Sequence, residues 1–398
     1  MIDILHKEDC CGCHACQTAC PIGCIEMVTD NEGFLYPQVN KTLCSDCKIC
    51  EETCPMLKQL PQGQPPLAYA AWCQDNSVRE ASSSGGIFST LMQHTLNCNG
   101  VVFGAAFDTT MTLRHLSADN ESECLKFRGS KYVQSIIGDT FKEVKSFLHQ
   151  RRHVLFSGTP CQIAGLYAFL GKDDDCLLTC DVVCHGVPSP KVFAAYMADL
   201  ERRQRAKVTK MSFRSKEFGW KRFSVAINFD HGREYRRILT DDPFMIGFLR
   251  DIYLRPTCHT CRFSRLPRVA DISLGDFWGV AEHHPEWDDD LGTSLVLVQS
   301  PKGHAILKEC MDLLVVHKAD LEVAVQSNPV ISGSVPEAPE RTDFFRDLDN
   351  LPFESVVANY MRPPTLCHKW IKYGWKRMRR LAQCLKSSFM VIVEIFFQ

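Results

Sequence analysis

Eight cysteines near the start of the chain fall into two copies of one pattern, C-x2-C-x2-C-x3-C-P. The first is Cys10, Cys13, Cys16, Cys20 and Pro21; the second is Cys44, Cys47, Cys50, Cys54 and Pro55. Every member of the second copy lies 34 residues after its counterpart, so the segment is an internal duplication. Three thiolates at x2 spacing can grip one four-iron cubane from a single loop. The fourth, displaced by one more residue and followed by a helix-breaking proline, reaches the other cluster. That rule assigns Cys10, Cys13, Cys16 and Cys54 to one 4Fe–4S cluster and Cys44, Cys47, Cys50 and Cys20 to another. Such a segment moves electrons one at a time. Structural zinc sites pair two short C-x-C hooks a dozen or more residues apart and do not need runs of four thiols. A disulfide framework is the other use for 22 cysteines. Met1 to Asp9 is charged and lacks an apolar signal core, which predicts a reducing cytoplasmic setting instead. Cys11 and Cys24 lie outside the pattern and read as spare thiols.

With 398 residues, 45% hydrophobic and 23% charged, the chain has room for two or three domains around a substantial core. The net charge of −2 is unevenly spread. From His368 onward there are seven basic residues and one acid, Glu394, leaving 38 basic against 46 acidic, or −8, in the rest. That balance argues against a nucleic-acid-binding body. No apolar run reaches the roughly 18 residues that a spanning helix needs. Pro61 to Pro66 reads as a polar, proline-rich linker closing a ferredoxin-like module over residues 1–60. A second loose stretch runs from Ser327 to Glu340.

Between them the pattern alternates short β-rich runs with helical stretches. Strands are expected at Leu67–Cys73, Val101–Phe107, His153–Phe156 and Cys176–Val183, with helices at Ile87–Leu96, Thr140–Gln150, Gln162–Leu170 and Lys191 to about Arg205. Val208–Arg214, Phe223–Phe229 and Glu234–Ile238 read as an antiparallel set. The fold class is mixed α/β with an open sheet, over residues 67–345.

Two loops have the composition of phosphate cradles. Ser83-Ser84-Gly85-Gly86 opens a helix, where free amides and the helix dipole converge. Gly129-Ser130-Lys131-Tyr132 adds a flexible backbone, a hydroxyl, a cation and an aromatic face. A Ser-Gly run at a helix start also serves as a plain cap, and neither loop matches the dinucleotide fingerprint or the P-loop. A further set of thiols is Cys161, at a strand end opening a helix where the dipole should lower its pKa, Cys184 after another strand, and the hook Cys258/Cys261. Strand ends of an open sheet gather at one crevice. Four thiols meeting there suit a third 4Fe–4S cluster, a zinc ion, or buried unreactive cysteines.

Taken in order, Ser82 to Ser89, Arg128 to Gln134, Gly158-Thr159-Pro160-Cys161-Gln162, Cys184-His185-Gly186-Val187-Pro188-Ser189-Pro190 and Gly275-Asp276-Phe277-Trp278-Gly279 resemble the β-subunit family of coenzyme F420 hydrogenases and dehydrogenases. The closer resemblance is to bacterial members that carry a dicluster ferredoxin in front and often occur with polysaccharide-synthesis genes. It covers about residues 7 to 345. The resemblance implies a flavoprotein domain binding FAD, with a cluster beside it on Cys161, Cys184, Cys258 and Cys261. The Ser83 to Gly86 loop and Gly129 to Tyr132 would contact FAD. It also implies an oxidoreductase passing electrons between a low-potential protein donor, ferredoxin-like or a partner subunit, and a small two-electron acceptor. In the archaeal subunits the residues after the cysteine of the Cys184 motif differ from His185-Gly186, so the acceptor need not be the deazaflavin itself.

A flavin joins one-electron clusters to two-electron acceptors. A pure electron-transfer subunit, or a redox sensor or scaffold, are the competing readings. No catalytic acid or base is identified, although His185, Asp181 and Lys131 lie near the expected crevice as candidate proton donors. His185 and His259, each beside cysteines, also suit hydrogen bonding to a ligand set. In the tail, 365–398, Ile371, Trp375, Met378, Leu381, Leu385, Phe389, Ile392 and Phe396 recur at helical spacing among seven basic residues. Such a helix suits an anionic membrane interface or packing on the body or a partner.

Overall fold

Alternating runs of period two and period 3.6 build a layered α/β architecture, seen in a computed structural model that describes residues 1–60 and 62–363. The tail 365–398 lies outside the described residues. Strands β1 (Ile25–Thr29) and β2 (Leu35–Val39) form an antiparallel hairpin in the N-terminal module. Then come β3 (Leu67–Cys73), β4 (Val101–Phe107), β5 (Leu113–Ala118), β6 (Val154–Gly158) and β7 (Leu177–Val182). Strands β8 (Val208–Ser215), β9 (Ser224–Phe229) and β10 (Glu234–Ile238) make a separate antiparallel sheet, and β11 (Ile272–Asp276), β12 (Ser294–Val298) and β13 (Leu314–Lys318) complete the large one.

The large sheet runs β13-β3-β12-β11-β7-β6-β4-β5. Its centre, β11, β7, β6 and β4, is parallel, with antiparallel strands on both flanks. Alternation sends side chains to opposite faces. Val102, Leu155 and Leu178 pack with Leu91 and Met92 of the helix Ile87–Asn97 on one side. Val101, Phe103, Val154 and Phe156 pack with Phe141, Ile163 and Leu166 on the other. Cys11, Cys13 and Ala15 join that second layer, so the N-terminal module is built onto the same face. Helices and strands therefore form the mixed α/β fold expected.

Four cations stitch the module to the body. Arg341 makes a bidentate pair with Glu32, at 2.9 and 2.5 Å, and both side chains are largely buried. Lys191 donates to Asn31 O, Arg262 to Met56 O and Lys58 O, and Arg255 to Cys10 O and Leu35 O. The boundary expected at 345 falls inside the helix Arg341–Asn350, which buries Phe344 and Phe345. Among the described residues no helix is long and apolar enough to cross a membrane.

Candidate redox centre

The thiols of the duplicated motif pack together, with neighbours drawn from both halves. Cys16 lies within electrostatic reach of Cys10 and Cys54, and Cys13 within reach of Cys10 and Cys16. Cys20 and Cys44, Cys47, Cys50 line one small cavity of their own. Cys50 of the second copy is also within electrostatic reach of Cys16 and Cys54, so the two copies interleave. Backbone amides approach the sulfurs: Ile2 N donates to Cys50 Sγ at 3.2 Å and Asp46 N to Cys44 Sγ at 3.4 Å.

Cys161, Cys184, Cys258 and Cys261 form a third group. Cys184 lies within electrostatic reach of the other three and Cys161 of Cys258 and Cys261, and Val187 N donates to Cys258 Sγ at 3.4 Å. Cys161 stands in the first turn of the helix Pro160–Leu170 that follows β6, Cys184 follows β7, Cys258 lies in the short helix Pro256–His259 and Cys261 just beyond it. The pKa of Cys161 is not lowered by its helix, as its position suggests, but raised well above the usual thiol value. Contact with Cys11 and burial outweigh the dipole. Burial pushes Cys16 and Cys258 up to about 12, with neighbouring thiols adding to it. Buried thiols that repel one another as thiolates are a donor set awaiting a cationic core.

Cys11 and Cys24 are not remote from these groups. Cys11 touches Cys13 and Cys161, so it stands where the first group meets the third. Cys24 lies 3.4 Å from Cys20 and also contacts Cys44. Their position relative to the groups comes from tertiary packing, which spacing does not encode. Gly165, in the helix Pro160–Leu170, permits the close approach of Cys13: a Cβ there would lie 2.9 Å from Cys13 Cβ and 3.0 Å from Sγ. Among the described residues no three His, Cys, Asp or Glu side chains stand close enough to share one metal ion. A tetrahedral zinc needs sulfurs about 3.8 Å apart, whereas a multi-iron cluster takes a wider set.

The third group borders a cavity of about 540 Å³ at the carboxyl ends of β6, β7 and β11, where open sheets bind ligands. Ser83, Ser84 and Gly86 line it from one side and Gly129 to Tyr132 from the other. The loops touch, since Ser130 N donates to Ser83 Oγ at 2.7 Å. Gly86 caps the helix Ile87–Asn97 with φ +91, a conformation that suits glycine. Gly85 does not face the cavity. Its amide donates to Ser294 Oγ, and a Cβ would lie 2.4 Å from Ala71 O, so this glycine serves packing against β3. Tyr132 packs on Phe213 and Phe248. The ammonium of Lys131 is turned onto three carbonyls of its own loop, Phe127, Arg128 and Gly129, each at 3.1 Å. Burial pulls its pKa down to about 7.

Asp181 departs from expectation. It is fully buried and paired with Arg268 at 3.1 Å, away from the cavity, because alternation along β7 sends it to the other face of the sheet. His185 does line the cavity, with Nε2 2.6 Å from Asp251 Oδ1. His259 is tied to Val335 O at 3.4 Å. One pair absent from the sequence reading is Arg214, which clamps Asp276 at 2.8 and 3.0 Å and donates to Tyr132 Oη and Ser83 O. Only Asp276 had a signal, its place in a motif. Ser84 Oγ, Arg128 Nε and Arg214 Nε are buried without a partner at this cavity. Unfilled polar positions of this kind fit a polar cofactor such as FAD.

Two family models match: coenzyme F420 hydrogenase/dehydrogenase beta subunit N-terminus over residues 68–139, and its C terminus over residues 151–323. The chain belongs to this family. A protein of Methanocaldococcus jannaschii described as uncharacterised is 26% identical over 206 residues, 44% of this chain and 56% of that protein. The match therefore spans little more than half of the curated relative's length. The F420-reducing nickel–iron hydrogenase complex from Methanosarcina barkeri, solved as a xenon derivative, contains a chain that aligns with a TM-score of 0.46 and 19% identity. That alignment covers 69% of this chain and 92% of that one. In this β-subunit family member the matched region holds the cavity and Cys161, Cys184, Cys258 and Cys261, and the two motif copies precede it.

Proposed function

We propose that the chain is an iron–sulfur flavoprotein oxidoreductase that carries electrons between a low-potential protein donor and a small two-electron acceptor. The donor would be ferredoxin-like or a partner subunit. The observation that carries this reading is the succession of thiol sets. Cys20/Cys44/Cys47/Cys50 adjoin Cys10/Cys13/Cys16/Cys54 within the module, Cys13 reaches Cys161 through Cys11, and Cys184 borders the cavity. The three sets would each hold a 4Fe–4S cluster, and the cavity would hold FAD against Ser83, Ser84, Gly86 and Gly129 to Tyr132. Bound there, the clusters supply one-electron transfer and the flavin supplies exchange with two-electron chemistry.

The protein's own work is placement. Burial of Cys13, Cys16 and Cys54 keeps water from those sulfurs, and amides of Val187 and Ile2 moderate thiolate charge on Cys258 and Cys50. Arg214 and the Ser83 hydroxyl hold the two cavity loops together. His185, held through Nε2 by Asp251, is the residue placed to offer a proton at Nδ1 to the acceptor. Flow in the reverse direction is equally permitted by this arrangement, and a link to polysaccharide assembly remains part of the proposal.

Anaerobic analysis of iron, sulfide and flavin tests the reading. About twelve irons and one FAD per chain are expected from three cubanes, falling to about eight irons in Cys184→Ala. Zinc in place of iron, or flavin that neither copurifies nor binds when added, would overturn it.

A further inference from the structure

Arg255 is a buried cation among the described residues with no carboxylate within ion-pair distance. Its side chain is fully buried, yet every oxygen it meets is neutral. Nε donates to Cys10 O at 2.7 Å, Nη1 to Gln134 Oε1 at 2.9 Å and Nη2 to Leu35 O at 3.0 Å. The guanidinium lies 4.2 Å over the Tyr36 ring. The other fully buried arginine, Arg268, has Asp181. A buried charge without a counter-charge is costly. The groups close enough to act on Arg255 electrostatically are the Tyr36 phenol and three thiols, Cys10 and Cys11 from the module and Cys258 from the third set.

The local backbone is shaped around it. Gly12, with φ +67, sits between Cys11 and Cys13, and a Cβ there would lie 2.7 Å from Arg255 Nη1. Gln134 reaches the same point and donates from Nε2 to Cys11 O at 3.0 Å. One guanidinium therefore fills the junction of the N-terminal module, the cavity loop and the helix carrying Cys258.

We propose that Arg255 is the shared counter-charge of the first and third thiol sets and raises the reduction potentials of the clusters they bind. The inference rests on reading those thiols as cluster ligands. Four thiolates leave each cluster net negative, and reduction adds one more electron; a fixed positive charge at the junction favours the reduced form of both. No thiol of Cys20, Cys44, Cys47 and Cys50 is among the groups acting on Arg255, so a cluster held there should feel it less.

The test is an anaerobic redox titration of the full chain with dithionite, following the cluster signals by EPR, with iron and sulfide measured on each sample. Signals are assigned by their loss in Cys44→Ala and Cys184→Ala. Arg255→Met is expected to lower the midpoints of the first and third clusters by at least a tenfold change in reduction equilibrium, about 59 mV for one electron. Arg255→Lys should restore most of the shift. Gln134→Glu places a carboxylate on the guanidinium without removing it, and should lower the same two midpoints; it decides the matter where Arg255→Met loses iron. Unchanged midpoints in variants that keep their iron and sulfide would overturn the role of Arg255. Wild-type protein lacking iron and sulfide would overturn the cluster reading itself.

Discussion

The ring of His115 donates from Nε2 to Ser157 O and accepts at Nδ1 from Ser135, which in turn accepts from Gln162. The neutral imidazole satisfies every group in that chain, and a second proton would meet only a hydroxyl already committed. Burial accordingly lowers its pKa to about 4. Because the unfolded ring titrates near 6.5, the unfolded chain binds more protons between those values. Stability should be full above pH 6.5 and fall by about 3 kcal/mol as pH drops towards 4. His115→Phe is expected to lower stability at pH 7 but flatten the acid slope, measured by denaturant unfolding at pH 5 and 7. Arg214 belongs to the same scale. Arg214→Met removes the cation from the partly buried Asp276 carboxylate, which keeps only the Trp220 indole as a side-chain donor, and should cost about 3 kcal/mol, with loss of retained flavin as the second readout. Neither Arg214 nor Arg255 was legible in the sequence. Their partners lie 62 and 131 residues away for Arg214, and 245 for the longest bond of Arg255. The duplicated cysteine motif was legible because its information is local spacing, whereas Asp181 was misplaced because a strand ending near a crevice still points alternate side chains away from it.

Elements repeat that lesson. β3, β4 and the helix Ile87–Asn97 follow the expected bounds within a residue, since each has clear periodicity between turn signals. β11, β12 and β13 were not anticipated. Their pairing is with distant strands, β12 and β13 both against β3, so their stability comes from burial between neighbours and not from local pattern. The helix Pro160–Leu170 carries a glycine where helix propensity would prefer alanine by about 1 kcal/mol. Gly165→Ala is nonetheless expected to reduce the iron retained by the Cys10/Cys13/Cys16/Cys54 set, because the added methyl meets Cys13. Iron analysis after gel filtration checks this, and full occupancy would show that the helix can back away. The Glu32–Arg341 pair gives a second element-scale expectation. Arg341→Met strands a largely buried carboxylate and should destabilise docking of the β1–β2 hairpin by about 3 kcal/mol. Hydrogen exchange should rise over residues 25–39 while the large sheet stays protected.

For the whole molecule, the series of thiol sets predicts that damage at one end is felt at the other. Cys44→Ala lies far from the cavity, so flavin content should stay unchanged while electron delivery from a reduced ferredoxin slows at least tenfold. Equal rates would mean that the donor enters elsewhere. The contact between Glu32 and Arg341 joins positions 309 residues apart. A ribosome adding 5–20 residues per second needs roughly 15 to 60 s between the two. Through that interval the module is held by contacts from residues made earlier, Lys191, Arg255 and Arg262, and lacks its buried ion pair. The helix Arg341–Asn350 is therefore a late latch, adding an ion pair that the residues before it cannot supply.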